Sequence, residues 1–150
     1  MSTARLNGFQ LSDCFLVVLR MTLISDEELI DRAKSVVKPR KIKHGSVGDV
    51  GCALVTDKGS VYVGVCVDVP SGMGFCAEHS AVAAMVTHGE FVIRKIVAVV
   101  KDGEPIPPCG RCREFMRQVH ERNSETEVIV ARNRSVKLKE LLPFPWDAKV

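Results

Sequence analysis

The segment VGCALVTDKGSVYVGVCVDV, residues 50–69, decides the fold. Two runs rich in β-branched residues, Val50 to Val55 and Val61 to Val69, flank the turn-forming sequence Asp57-Lys58-Gly59-Ser60. β-Branched residues favour strands, and a short Gly-containing connection between two such runs is typical of a hairpin. The segment therefore predicts a β-hairpin.

Helical and strand-like patterns alternate on both sides of this hairpin. The capping box Ser25-Asp26-Glu27-Glu28 opens a helix that is predicted to run from Asp26 to Val37. The short apolar run from Arg94 to Val100 predicts a strand buried on both faces. Further elements are predicted as helices at Cys76–His88 and Cys109–Glu121, a strand at Glu127–Ala131 and a short helix near Lys137–Leu142. This order predicts an α/β fold in which helices flank a mixed sheet.

The length and composition are typical of one soluble globular domain. The chain has 150 residues, 46% of them hydrophobic, and a formal net charge of +3. The small basic cluster between Lys38 and Lys43 precedes several glycines, which favours a solvated linker over a nucleic-acid surface. We therefore expect neither a nucleic-acid partner nor a second domain.

The N-terminal segment is predicted to be peripheral to the domain. Its apolar stretch from Cys14 to Leu19 is too short to cross a bilayer and lacks the pattern of a secretory signal. A second methionine, Met21, stands just before the first helix. We expect residues 1–20 to be an extension, residues 21–150 to form the domain, and the protein to be cytoplasmic and independent of membranes.

The six cysteines are better explained by metal binding and burial than by disulfides, because the chain shows no export signal. Cys109 and Cys112 form a C-x-x-C pair. Cys52 and Cys66 lie inside apolar strand-like runs and are predicted to be small core residues. Cys14 has no assignment.

Two short segments, Cys76-Ala77-Glu78 and Pro108-Cys109-Gly110-Arg111-Cys112, supply three thiolates and one carboxylate. A hydrolytic zinc centre uses three protein ligands and keeps one position open for water. A closed structural zinc site is the alternative, with His79, His88 or Cys66 as the fourth ligand. The acid that follows Cys76 and the proline before the second pair favour catalysis, and both histidines are expected on the helix surface or at the core edge.

Both ligand segments are predicted to lie where a loop enters a helix. Helix N-termini stabilise thiolates over thiols, and Arg111 and Arg113 add positive charge. Glu78, two residues after Cys76, is close enough to the open position to take a proton from water and return it to a leaving amine. The segments therefore predict hydrolysis at an amidine-like carbon.

These motifs resemble the cytidine deaminase family, and more narrowly its small tetrameric branch, which includes blasticidin-S deaminases. The matching text is C-A-E at 76–78, P-C-G-R-C-R at 108–113 and E-L-L-P at 140–143. The resemblance implies a three-layer α/β/α fold with a five-stranded mixed sheet, whose fifth strand would lie around Val136 to Leu138. It also implies a homotetramer with active sites near subunit interfaces, one Zn²⁺ per subunit and a nucleoside substrate.

The resemblance also assigns roles to single residues. Glu78 becomes the proton shuttle and the backbone of Ala77 a contact to the pyrimidine ring. Cys66 and Asp68 stand where the family carries Asn and Glu for the sugar. Trp146 resembles the aromatic residue that closes the pocket, and a buried packing role is its alternative. The zinc ligands become Cys76, Cys109 and Cys112.

Deamination of cytidine, deoxycytidine or a related aminopyrimidine nucleoside is the leading hypothesis. Because a thiol cannot replace the paired donor and acceptor of an amide, Cys66 leaves open a modified nucleoside or a nucleoside antibiotic as substrate. Deamination of bases in nucleic acids is disfavoured by the weak charge and the few aromatic residues. A non-catalytic protein that binds zinc or nucleosides is the alternative outside enzymes.

Overall fold

Three layers of secondary structure make up residues 24–148, the part of the chain that the computed structural model describes. The helices are α1 (Asp26–Ser35), α2 (Ala77–Thr87), α3 (Gly110–Val119) and α4 (Leu138–Leu141), and a 3₁₀ turn covers Glu121–Glu125. The strands are β1 (Arg40–Ile42), β2 (Gly45–Thr56), β3 (Val61–Asp68), β4 (Ile93–Val99), β5 (Pro105–Ile106), β6 (Glu127–Ala131) and β7 (Arg134–Lys137). The predicted extension over residues 1–20, with Cys14, lies outside this range.

The sheet is mixed, as predicted. Its five longer strands lie in the order β3-β2-β4-β6-β7, in which β4 and β6 run parallel and the other neighbours antiparallel. The residue range 50–69 forms the expected hairpin of β2 and β3. The fifth strand implied by the resemblance is β7, which ends at Lys137 because Leu138 already belongs to α4. The α/β class and its layered architecture are therefore confirmed.

Two short strands bring the sheet to seven, so the expected count of five was too low. β1 lies in the basic segment that was predicted to be a linker, and it pairs with the start of β2 through Ile42 and Gly45. β5, at Pro105–Ile106, pairs with the end of β4 inside a Pro-rich segment whose only β-branched residue is Ile106. Both strands are held by a neighbouring strand and carry little β propensity of their own.

Helices cover both faces of the sheet. Along β2, Cys52 and Leu54 pack with α2 and α3, whereas Ala53 and Val55 pack against α1 on the opposite face. β4 is buried on both faces in the same way, as its continuous apolar run predicted. Cys52 and Cys66 are core residues, 0% and 5% exposed. Within the described residues, no helix combines the length and apolar character needed to cross a bilayer.

A glycine in β3 allows α2 to lie directly on the sheet. A Cβ atom at Gly64 would come within 2.5 Å of the Ser80 Cβ atom and 2.7 Å of the Ala77 carbonyl oxygen. The Ser80 hydroxyl donates a hydrogen bond of 2.7 Å to the Val65 carbonyl, which ties the helix to the strand. This close contact fixes where α2 begins.

Candidate metal and catalytic site

The two cysteine segments meet because each one opens a helix over the same face of the sheet. Cys76 is the N-cap of α2 and Cys109 the N-cap of α3, as predicted, and Cys112 follows in the first turn of α3. The Arg113 guanidinium donates to the carbonyl oxygens of Pro108, at 2.7 Å, and Leu141, at 3.1 Å. The start of α3 is therefore anchored to the segment before it and to α4.

The three sulfur atoms have the spacing of a tetrahedral metal site. The Cys76 and Cys109 sulfurs lie 3.7 Å apart, and those of Cys109 and Cys112 lie 3.6 Å apart. With zinc–sulfur bonds of about 2.3 Å, two ligands of a tetrahedral site are separated by about 3.8 Å. All three sulfurs lie within 4.8 Å of one another, so the donor set fits a zinc ion.

The three thiols differ in their surroundings. Burial alone would raise the pKa of Cys109, but hydrogen bonds from the Cys112 backbone and side chain outweigh it and lower that pKa. Burial, followed by the nearby Glu78 carboxylate, raises the pKa of Cys112. A bound cation would offset the two effects that act to raise these pKa values, burial and the charge of Glu78. A divalent ion would therefore favour the thiolate form of the cluster.

Glu78 lies on the first turn of α2, beside the sulfur cluster and outside it. Its side chain is 5% exposed, and burial raises its pKa above the usual value for glutamate. Hydrogen bonds from its own backbone amide and from the Cys112 thiol partly oppose that shift. A carboxylate with a raised pKa takes up a proton more readily than an exposed one, which favours a role in proton transfer.

A cavity of about 330 Å³ opens beside the cluster. Four residues of the predicted site line it together with Cys76 and Cys109, namely Cys66, Asp68, Ala77 and Glu78. Phe75, Ile106 and Arg111 also line it. Phe75 and Ile106 were missed because their positions depend on pairing with the preceding strand, Phe75 with Val67 and Ile106 with Ala98, and motif spacing does not reveal such pairing.

Cys66 lines the cavity but already has a hydrogen-bond partner. Its sulfur accepts the Val50 backbone N–H at 3.3 Å, where the pairing of β2 with β3 shifts register. Burial raises the pKa of this thiol. The Asp68 carboxylate, which also lines the cavity, lies within 4.8 Å of the Cys66 sulfur and of the exposed Asp49 carboxylate.

Trp146 lies outside the cavity of its own chain. Its side chain is 73% exposed, and its backbone N–H lies 3.3 Å from a Glu114 carboxylate oxygen. Because its side chain is exposed, Trp146 has no buried packing role within residues 24–148. Its role in closing the pocket stays a prediction.

The histidine on the first turn of α2, His79, differs from the histidine at its C-cap, His88. The His88 ring is exposed and its Nδ1 atom lies 2.8 Å from the Ala84 carbonyl oxygen, as expected for a helix surface. The His79 Nδ1 atom instead lies 3.4 Å from the Cys112 sulfur, and its ring stacks on Phe115 with centroids 4.4 Å apart. Burial, followed by the charge of Arg111, lowers the pKa of His79. The sequence did not predict this contact, and the spacing of three residues from Cys76, one helical turn, is the signal that could have pointed to it.

Comparisons with known proteins agree with this geometry. The family model described as "Cytidine and deoxycytidylate deaminase zinc-binding region" matches residues 23–128. A cytidine deaminase of Halalkalibacterium halodurans is 30% identical over 105 residues, which cover 67% of this chain and 78% of that protein.

Solved structures show the same fold. The crystal structure of cytidine deaminase from Mycobacterium tuberculosis is similar with a TM-score of 0.72 and 26% identity, covering 83% of this chain and 99% of that one. The cytidine deaminase structure from Burkholderia pseudomallei gives a TM-score of 0.67 and 28% identity, covering 82% of this chain and 100% of that one.

Proposed function

The chain belongs to the cytidine and deoxycytidylate deaminase family, and we propose that Cys76, Cys109 and Cys112 hold one zinc ion per subunit. Its activity is the zinc-dependent hydrolytic deamination of cytidine, which releases ammonia. One observation carries the assignment of residues: the buried Glu78 lies beside three sulfurs with tetrahedral spacing, in the lining of an open cavity.

When bound, zinc supplies a Lewis acid that lowers the pKa of water at its open position. Glu78 accepts the proton that the attacking water loses as its oxygen forms a bond to C4 of the pyrimidine. The same carboxyl group delivers that proton to the ring nitrogen, which takes up the electron pair displaced from the C4–N3 double bond. This step leaves C4 tetrahedral.

Glu78 also serves the departing group. It moves the second proton of the attacking water to the exocyclic amine, the C4–N bond breaks, and ammonia leaves as the carbonyl of uridine forms. A raised pKa suits both transfers, because the group must be ionised before attack and protonated after it. Burial of the side chain, at 5% exposure, is the physical cause of that raised pKa.

We propose that backbone groups and carboxylates orient the nucleoside. Ala77, between Cys76 and Glu78, is buried and lines the cavity, which supports a backbone contact to the pyrimidine ring. Asp68 would accept a hydrogen bond from a sugar hydroxyl. Cys66 contributes a wall, because its sulfur already accepts the Val50 N–H.

We propose a homotetramer, and support comes from helix α2. An amphipathic surface helix turns polar residues outward, but the outward positions Ala83 and Val86 of α2 are apolar and exposed. A second copy of the chain that covered this face would remove it from water.

We also propose that the protein is cytoplasmic. Thiols remain reduced in the cytoplasm, and the three proposed ligands must be reduced to bind zinc, which supports that compartment.

Ammonia release tests the proposed function directly. Zinc-loaded protein is compared with protein stripped by a chelator, on cytidine, deoxycytidine, deoxycytidylate and sugar-altered cytidine analogues. We expect zinc-dependent release from cytidine that is restored when zinc is returned to the stripped protein. Absence of ammonia from cytidine with zinc bound would overturn the proposal. Faster turnover of a sugar-altered analogue would move the preferred substrate to a modified nucleoside.

A further inference from the structure

His79 occupies a position that the deamination steps leave unexplained. It follows Cys76 by one helical turn on α2, and its Nδ1 atom lies 3.4 Å from the Cys112 sulfur on α3. The ring is half-buried between the two helices. It therefore touches a proposed zinc ligand without lining the cavity.

Phe115 fixes the plane of this ring. The two rings are stacked with centroids 4.4 Å apart and planes inclined by only 4°. Phe115 follows Cys112 by one helical turn, just as His79 follows Cys76. Each metal-binding helix thus contributes one ring to a stacked pair, and the stack holds the Nδ1 edge of His79 toward Cys112.

The contact is a hydrogen bond to a ligand and not a fourth coordination bond. The cluster in which all donor atoms lie within 4.8 Å of one another contains the three cysteines, and His79 lies outside it. A thiolate carries lone pairs and no proton, so the atom facing it must be a donor. His79 meets this requirement in the tautomer that carries its proton on Nδ1.

Three thiolates bound to one divalent cation leave a net negative centre. Excess negative charge opposes the loss of a further proton from water at the open position. A donor aimed at one sulfur withdraws electron density from it and offsets part of that charge. Partners that hydrogen-bond to metal ligands in this way orient the ligand and tune the metal.

We propose that His79 is a positioning residue whose Nδ1–H donates to the Cys112 thiolate, orienting that ligand and reducing its electron donation to the metal. The proposal rests on the proposed function, because it requires the three cysteines to hold the ion. The stack with Phe115 supplies the rigidity, and loss of the donor changes the metal centre while the substrate cavity stays intact.

Cobalt substitution measures the effect at the metal itself. In the Co²⁺-loaded protein, the absorption band for charge transfer from thiolate to cobalt reports how readily the sulfurs donate electrons. We expect His79→Leu to shift this band to lower energy and to reduce kcat about 10- to 100-fold with little change in KM. His79→Asn, which keeps an amide N–H near the Nδ1 position, should retain most of the wild-type band and rate.

His88→Leu is the matched control, because His88 is the C-cap residue of the same helix and lies outside the sulfur cluster. Its Nδ1 atom faces the Ala84 carbonyl oxygen and its ring lies beside that of Tyr62. This control should leave the cobalt absorption band and kcat unchanged.

A His79→Leu absorption band identical to that of wild type would overturn the proposal. Loss of the tetrahedral cobalt spectrum in His79→Leu would also overturn it, since that loss identifies His79 as a fourth ligand. If His79→Leu does not fold, Phe115→Leu, which removes the stacking partner of the His79 ring, takes its place. The proposal is then overturned if His79→Asn changes the cobalt spectrum as much as Phe115→Leu does. Wild-type protein that takes up no cobalt or zinc would instead contradict the metal site of the proposed function.

Discussion

The sulfur atoms of Cys76 and Cys109 lie 3.7 Å apart, although 33 positions separate the two residues in the sequence. Each sulfur belongs to the N-cap residue of a helix, and the two helices pack on the same face of the sheet. Residues 24–148 contain five free cysteines, and the fold brings three of them together in one cluster. The sheet thus determines which cysteines lie close enough together to share a metal ion.

Removing one ligand from this cluster should abolish zinc binding. We expect Cys109→Ser to weaken zinc affinity by more than the factor of about 100 that loss of an outer hydrogen-bond partner causes. Zinc content after dialysis against a chelator measures this, with Cys52→Ala as the control because Cys52 is buried in the core. Equal zinc retention in Cys109→Ser and wild type would contradict the assigned ligand set.

Replacing Glu78 by glutamine should separate chemistry from metal binding. The amide fills the same space and cannot carry the proton, so we expect kcat for cytidine to fall about 10²- to 10⁴-fold while zinc stays bound. Steady-state kinetics and metal analysis on the same sample measure both. Glu121→Gln, at an exposed position of the 3₁₀ turn, should behave as wild type. A Glu78→Gln enzyme with wild-type kcat would exclude Glu78 as the shuttle.

Gly64 should tolerate no larger residue, because α2 lies against it. In Gly64→Ala the added methyl group would meet the Ser80 Cβ atom at 2.5 Å, so the helix must shift. Overpacking of this kind costs about 1–3 kcal/mol of the free energy of unfolding. Urea denaturation of zinc-loaded protein measures it.

Gly110→Ala is the comparison for that experiment. A Cβ atom there meets nothing within 4 Å, and Gly110 begins α3. Because alanine favours helices over glycine, this variant should be as stable as wild type or slightly more stable. A Gly64→Ala protein as stable as Gly110→Ala would show that α2 is not packed as tightly as its contact with β3 indicates.

Local sequence patterns predicted the parts of the fold that are encoded locally. The hairpin of β2 and β3 and the helices that open at Cys76 and Cys109 follow from β-branched runs, turn residues and helix punctuation. The short strands Arg40–Ile42 and Pro105–Ile106 carry no such pattern, since each exists through pairing with a longer strand. Local sequence patterns therefore predict helices and strands but not the strands with which they pair.

The same distinction applies to the site. The sequence predicted that Cys76, Cys109 and Cys112 meet beside Glu78, because metal ligands and a nearby acid form a short motif, and the structure brings the three sulfurs together. Their roles stay predictions. The contact between His79 and Cys112 joins two helices, and the Val50 N–H at Cys66 depends on a register shift in the sheet. Such contacts form between separate elements of the chain. A single sequence can therefore indicate which residues are candidates, but not which residues they contact.

A buried carboxylate outside the sulfur cluster, that of Glu90, should make stability depend on pH. Glu90 accepts hydrogen bonds from the Thr56 hydroxyl, at 2.5 Å, and from the Tyr62 hydroxyl, at 2.8 Å. These bonds, with Thr56 the largest contributor, hold the pKa of Glu90 below its ordinary value of 4.5. A lowered folded-state pKa stabilises the native protein above the unfolded-state pKa, and this stabilisation is lost as the pH falls through the folded-state value.

Thr56→Val removes the main donor and keeps the shape of the side chain. We expect this variant to lose about 1.5–3 kcal/mol of unfolding free energy at neutral pH, as for a hydrogen bond to a charged group. The difference from wild type should shrink once the pH drops below the ordinary glutamate pKa, because protonated Glu90 no longer needs the donor as strongly. Urea denaturation between pH 3 and pH 7 follows both curves, at about one-unit steps. A difference that is constant across this range would assign the loss to packing alone and contradict the charge-linked role of Glu90.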